Sequence, residues 1–181
     1  MRIRDNRVLA CIVLAAVIVL CPLLSGSSSL KRQKKAAESI FFSASESIYA
    51  ELFEKADNAD VMLKIAGQYD TLDQSLLERT QTAADDLRAS MDTRDIARIH
   101  SLSDQLTGCV EELYAAGSKL TMQGNDADDF RFKYKNFSAA DLRISHDPYN
   151  DEAAAVREVF NGFPASLIAS LCGVHTPELF Q

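Results

Sequence analysis

The chain has 181 residues, 47% hydrophobic and 25% charged, with seven glycines, four prolines and no tryptophan. That length suits one domain plus an anchor, and so few turn formers favour long regular elements over a turn-rich β fold. After Lys35 the chain carries 12 basic and 25 acidic residues, a net −13 within an overall −7. An acidic body of this kind repels phosphate backbones and excludes nucleic acid as a partner.

Residues 1–7 form a basic flank, with Arg2, Arg4 and Arg7 against Asp5. Val8 to Leu24 is an apolar run of 17 residues without a charge, and the uncharged stretch continues to Leu30. About 20 apolar residues span a hydrocarbon core of roughly 30 Å, so the run is short but sufficient. Lys31, Arg32, Lys34 and Lys35 follow it, and basic residues on both sides can reach the two membrane interfaces. Residues 8–30 therefore read as a transmembrane anchor, which predicts a single-pass protein of the cell membrane. Two processing alternatives stand beside a retained anchor. Ser25-Gly26-Ser27 offers small residues for a signal-peptide cut, and Cys21 would be the modified residue of a lipoprotein, although Leu20 is a poor predecessor. Three arginines on one side compete with four basic residues on the other, so the positive-inside rule leaves the side of the body unassigned.

Residues 31–181 read as an all-α bundle domain. Helix A, about 28–56, repeats Ile40, Ala44, Ile48 and Leu52 every four residues, widened by Phe41, Tyr49 and Phe53. It can continue straight from the anchor, with Pro22 giving at most a kink. Helix B, about 59–91, uses Val61, Met62, Ile65, Tyr69, Leu72, Leu76, Ala83, Leu87 and Met91, with Asp70 or Thr71 as a cap for a restart. Asp92-Thr93 then offers an N-cap. Helix C, about 94–123, has a coiled-coil-like seam of Ile96, Ile99, Leu102, Leu106, Cys109 or Val110, Leu113, Gly117 and Leu120. Helix D, about 127–145, offers Phe130, Tyr134, Phe137 and Ile144. Asp147-Pro148 opens helix E, which runs to Asn161. Gly162-Phe163-Pro164 forces a break before a short apolar helix at about 165–172.

The search for chemistry yields little. No HExxH, GxSxG, P-loop or GxGxxG occurs. His100 and Asp104 are spaced i, i+4, which fits an exposed pair better than a metal site. Asp126, Asp128 and Asp129 lack the glycine and distal glutamate of a calcium loop and read as helix-start charges. Cys11 and Cys21 fall in the apolar run, while Cys109 and Cys172 are isolated in the body and read as small hydrophobes. A bond between the latter two would need a body outside the cytoplasm. No catalytic residue, cofactor or metal ligand is assigned, and the chain is not expected to be an enzyme.

The C-terminal stretch carries a more specific signal. Tyr149-Asn150 is followed by a helix, then Phe163-Pro164-Ala165-Ser166-Leu167-Ile168-Ala169, Gly173-Val174 and Phe180. This arrangement resembles the end of bacterial LemA family proteins, in which Tyr-Asn, a helix and Phe-Pro-x-x-Leu-Ile-Ala precede a Gly-aromatic pair and a terminal Phe. Residues 54–69 resemble an upstream family segment, with Glu54-Lys55 where the family has two arginines. The resemblance implies a divergent member with an N-terminal membrane helix and an antiparallel bundle of long helices. It also implies family-motif positions at Tyr149, Asn150, Phe163, Pro164, Leu167, Ile168, Ala169, Gly173 and Phe180. It brings no enzymatic activity. Residues 162–181 are expected to form an apolar flap, with Phe163, Leu167, Ile168, Leu171 and Phe180 either closing the bundle end or meeting a partner or membrane. The function expected is a membrane-anchored, non-enzymatic scaffold with unidentified protein partners. The alternative is a small-molecule-sensing bundle coupled to the membrane helix.

Overall fold

The computed structural model describes residues 7–43 and 47–181. Arg2, Arg4 and Asp5 of the basic flank, and Ala44 and Glu46 of helix A, lie outside the described residues. All regular structure among the described residues is helical: α1 Arg7–Ser43, α2 Ile48–Ala66, α3 Gln74–Met91, α4 Ile96–Gly117, α5 Asp126–Ser145, α6 Tyr149–Asn161 and α7 Ala165–Cys172. The chain divides into two compact units. One joins the chain up to Glu38 with Asp151–Pro177; the other joins Ser39–Asn150 with Glu178–Gln181.

The first unit contains most of α1, most of α6, and α7. Helix α1 passes through Pro22 without interruption, as the sequence allowed. It is long and apolar enough to cross a membrane, and almost none of that apolar window is buried. Ile12, Leu14 and Ile18 are about 60% exposed (59%, 61% and 63%). From Leu23 onwards one face becomes covered. Leu30 packs with Phe160, Ala169 and Val174, and Val156, Ala165, Ile168 and Cys172 close around them. Gly26 lies under Ile168, where a Cβ would come within 2.7 Å of the isoleucine Cδ1. The missing side chain is what lets α7 approach so closely.

The second unit is the bundle α2–α5. Helix α2 packs on both α3 and α5, and α3 packs on α4. Ion pairs give the directions. Arg143 near the end of α5 meets Glu51 near the start of α2, and Arg79 early in α3 meets Glu112 late in α4. These neighbours therefore run antiparallel, as short connections dictate. Ile48, Leu52, Ala56, Ala59 and Met62 recur at spacings of three and four and are fully buried, which sets the face of α2 that forms the core.

Several helix boundaries differ from expectation. Helix A is two elements: α1 ends at Ser43, and α2 starts after the N-cap Ser47, whose hydroxyl accepts from the Ala50 N–H. The expected break between helices A and B at 57–58 is absent, since α2 runs through to Ala66, and helix B instead divides at Gly67–Asp73. The cap of α3 is Asp73, not Asp70 or Thr71, because the Asp73 carboxylate reaches the Ser75 N–H at 2.9 Å. The cap of α4 is Asp95, not Asp92 or Thr93. Arg94 takes a left-handed backbone (φ 58°), which turns the chain and delays the helix start. The α4 seam shifts in the middle: Ser103 is buried where Leu102 was expected, and Val110 is the buried member of the Cys109/Val110 pair. Leu120 falls beyond the end of α4.

Candidate functional site

Lys55 is the most unusual side chain of the bundle. It is 0% exposed yet sits on α2 three residues after Leu52 and seven after Ile48, on the core face. An ammonium has three N–H donors, and burying it requires partners for all of them. Lys55 Nζ donates to Ser103 Oγ at 3.0 Å, to Thr107 Oγ1 at 2.8 Å, and to the Asp141 carboxylate. The Phe137 ring lies 4.9 Å away and adds a cation–π contact. Burial lowers the Lys55 pKa below its ordinary value, while the hydrogen bond and charge of Asp141 oppose that shift. Every donor is committed and the carbon stem is enclosed, so the group pins α2, α4 and α5 together and has no hydrogen left to offer a ligand.

Beside this cluster lies a hollow of about 290 Å³, lined in part by His100, Ser103, Asp104, Asp141, Asn150 and Phe180. His100 Nδ1 is 3.4 Å from Asp104, the i, i+4 pair expected from the sequence. The volume is at the lower bound of small-molecule pockets. A larger hollow of about 530 Å³ opens between α2 and α3, where mostly solvent-exposed polar side chains such as Lys64, Gln74, Glu78 and Gln81 form much of its lining.

Three motif residues, Tyr149, Asn150 and Phe180, come together on the bundle. The Asn150 side chain pairs with both backbone groups of Phe180: Nδ2 donates to the carbonyl at 2.9 Å, and the Phe180 N–H donates to Oδ1 at 2.8 Å. The Tyr149 hydroxyl donates to the Glu178 carbonyl. The Glu178 carboxylate accepts from the Ile96 and Ala97 N–H groups at 3.0 and 3.3 Å, adding to the Asp95 cap at the N-terminus of α4. The Phe180 ring fills the space between Phe41 and His100, with centroids 5.5 and 4.7 Å away. Tyr149 completes the aromatic cluster on Phe41 at 5.2 Å. Asp147 accepts from the Tyr149 N–H at 2.8 Å, the cap foreseen at Asp147-Pro148, although α6 itself begins at Tyr149. Burial raises the Asp147 pKa, the backbone bond partly offsetting it.

The remaining motif residues belong to the other unit. The Phe163–Pro164 bond is cis, and α7 follows it. Ile168 and Ala169 face the Leu30 cluster. Gly173 caps α7 in the left-handed conformation (φ 62°), where the Val174 N–H reaches the Ala169 carbonyl at 2.9 Å; that backbone favours glycine. Phe163 and Leu167 remain exposed, at 87% and 53%. The expected single flap is therefore divided. Phe180 is buried in the bundle, while Phe163, Leu167 and Leu171 point away from any described core. The cause is the extended segment after Gly173, whose end is held through its backbone by Asn150.

Asp126, Asp128 and Asp129 lie in the first turn of α5, the helix start expected for them. Asp126 accepts from the Tyr69 hydroxyl at 2.6 Å, and that hydroxyl in turn accepts from the Gln123 N–H at 2.9 Å. The Asp126 bond raises the Tyr69 pKa. Each cysteine is a free thiol. Sequence reasoning missed the Lys55 cluster and the Glu178 cap. Helical spacing from Ile48 and Leu52 placed Lys55 on the apolar face, and that was the available signal. Nothing local could have linked Glu178 to Ile96, 82 positions away.

Among known proteins, no family model, no curated protein and no solved structure matches this chain. The likeness to LemA proteins thus rests on the motif residues themselves, and the fold class on the helices.

Proposed function

We propose that the chain is a membrane-tethered helical-bundle protein of the LemA type, acting as a non-enzymatic scaffold or interaction protein. The observation that carries this reading is the exposed apolar stretch of α1. Large side chains such as Leu14 and Ile18 meet nothing among the described residues, which favours a non-aqueous surrounding for them. Basic residues at 31–35 at one end of the stretch favour lipid headgroups. The acidic bundle, stapled by Lys55 and closed by the Tyr149–Asn150–Phe180 clamp, offers a rigid surface for protein partners. That clamp also gives the motif positions shared with LemA proteins a physical role, which supports the family reading. Transmembrane retention on a bacterial membrane follows from the same reading.

Alkaline extraction of membranes containing the full chain tests the tether. The protein should stay in the pellet, leave it only with detergent, and keep its full mass of 19.9 kDa. Release into the aqueous fraction, or a mass lacking the first helix, would refute a retained span. Crosslinking in those membranes should then capture the same proteins reproducibly through bundle-surface residues.

The hollow beside Lys55 favours a second reading, a small-molecule sensor. Stoichiometric binding of a metabolite to the purified full chain in detergent, lost on filling the hollow by substituting its lining residue Ser145 (Ser145→Trp), would favour it over the scaffold.

A further inference from the structure

We infer that α7 is an interfacial membrane helix: its Leu167–Leu171 edge, with Phe163 just before the helix, is seated in the bilayer beside the end of the α1 span. The inference rests on the tether reading and adds a second lipid contact to it.

The first argument is position. Helix α7 is fastened to α1 where the apolar run ends. Ile168 lies over Gly26, and the Cys172 thiol is 4.0 Å from the Leu23 carbonyl. Leu20 and Leu24 of α1 are exposed at 53% and 65%, matching Leu167 and Leu171 at 53% and 64%. Both helices thus expose leucines within one compact unit, with α7 lying beside the end of the apolar run.

The second argument is length. From Val8 to Leu24 a helix rises about 25 Å, at about 1.5 Å per residue. The hydrocarbon core is roughly 30 Å thick, so the run ends several ångströms early. The serine-rich stretch Ser25–Ser29 would then enter that margin. Ser27 is buried and its hydroxyl donates to the Leu24 carbonyl at 3.0 Å, so the covered face of this stretch exposes no unmet donor to lipid. Helix α7 supplies the apolar surface that the serines lack.

The third argument is charge. Helix α7 has no ionisable side chain other than its terminal thiol, while Lys31, Arg32, Lys34 and Lys35 follow the fastening point on α1, placed for headgroup phosphates. Its eight residues divide into two stripes by neighbour, not by polarity. Ala165, Ile168, Ala169 and Cys172 pack against or face the Leu30 cluster, while Ser166, Leu167, Ser170 and Leu171 are exposed, as is Phe163 just before the helix.

The absence of tryptophan makes the test direct. Phe163→Trp and Leu171→Trp each place one reporter on the edge; both sites are exposed, so the fold tolerates them. Ile12→Trp reports on the span and Phe132→Trp, at an exposed site of the bundle, gives the reference. The full-length variants are reconstituted in phosphatidylcholine–phosphatidylglycerol vesicles whose acyl chains are brominated near the carbonyl end or near the methyl end. An interfacial helix buries its apolar face about 5–10 Å deep, so reporters at 163 and 171 should lose roughly half their emission to the shallow bromines and less to the deep ones. Reporters at 163 and 171 quenched no more than the one at 132, with the one at 12 strongly quenched, would overturn the inference and leave the tether intact. If the reporter at 12 also escapes quenching, both readings fall.

Discussion

The two units use similar apolar residues to opposite ends. In the bundle, Leu52, Met62, Leu87 and Ile99 are fully enclosed by other helices, and even the one buried ammonium has every hydrogen matched. In the other unit, Leu14, Ile18, Leu24 and Leu171 are exposed and enclosed by nothing among the described residues. A leucine costs the same to expose to water in either place, roughly 1.5–3 kcal/mol. The contrast therefore says that the bundle supplies its own interior, while the apolar run of the first unit is left uncovered by the described residues. It also explains why polar groups are tolerated where they are. Lys55 is held inside a bundle that can offer hydroxyls and a carboxylate, whereas the long apolar run of α1 contains no charge at all.

The contrast breaks most directly in the apolar run. Leu14→Arg together with Ile18→Arg should release the protein from membranes, since each arginine near the centre of a span costs about 2.5–3.5 kcal/mol. Alkaline extraction reads the result, and continued retention would mean that lipid is not what covers α1. Next in size is the bundle interior. Asp141→Asn strips Lys55 of its counter-charge, and breaking a buried pair costs about 3–5 kcal/mol, here at the low end because Asp141 is partly exposed. Lys55→Met should restore stability to wild type or above, because a thioether of similar length needs no partners. Denaturant midpoints of the full chain in detergent check both, and a severely unstable Lys55→Met would show that the ammonium holds the bundle in a way packing cannot replace.

Smaller effects sharpen the picture at the bundle's C-terminal clamp. Asn150→Ala removes two hydrogen bonds to Phe180 and should cost about 1–2 kcal/mol, while Tyr149→Phe removes one and should cost about 1 kcal/mol. Hydrogen exchange at the Phe180 amide should accelerate in the first variant far more than in the second. Equal acceleration would mean that the aromatic packing of Phe180, and not the amide pairing, holds the tail. The smallest effect is on pH dependence. The folded Lys55 pKa is lowered from 10.5 by burial, so between the folded value and 10.5 the unfolded chain holds more protons. Stability from this group therefore rises as pH increases through that window and is lowest below it. The gap between wild type and Lys55→Met should change accordingly as pH rises towards 10.5.

Much of this was legible in the chain. The apolar run between basic residues, the helical periodicity from Phe41 to Phe137 and the break at Gly162–Pro164 follow from local rules, since spacing and backbone chemistry act over a few residues. The Tyr149–Asn150 and Phe180 positions were also legible as motif residues, though not what they do. Helix ends were less so. Asp70, Thr71, Asp73, Asp92, Thr93 and Asp95 are all competent caps, and the choice among them depends on where the next helix must begin to pack.

From the sequence alone came the all-helical class, the apolar run of α1 and the acid balance of the body, because composition and periodicity determine which surfaces a helix can present. Tertiary structure decided three things: that Lys55 lies inside, that Glu178 caps α4, and that Phe180 leaves the company of Leu167 and Leu171 for the bundle. Each depends on partners 48 to 86 positions away or on the path of a segment without regular structure. Contacts of that range depend on how helices pack, and no local pattern encodes them.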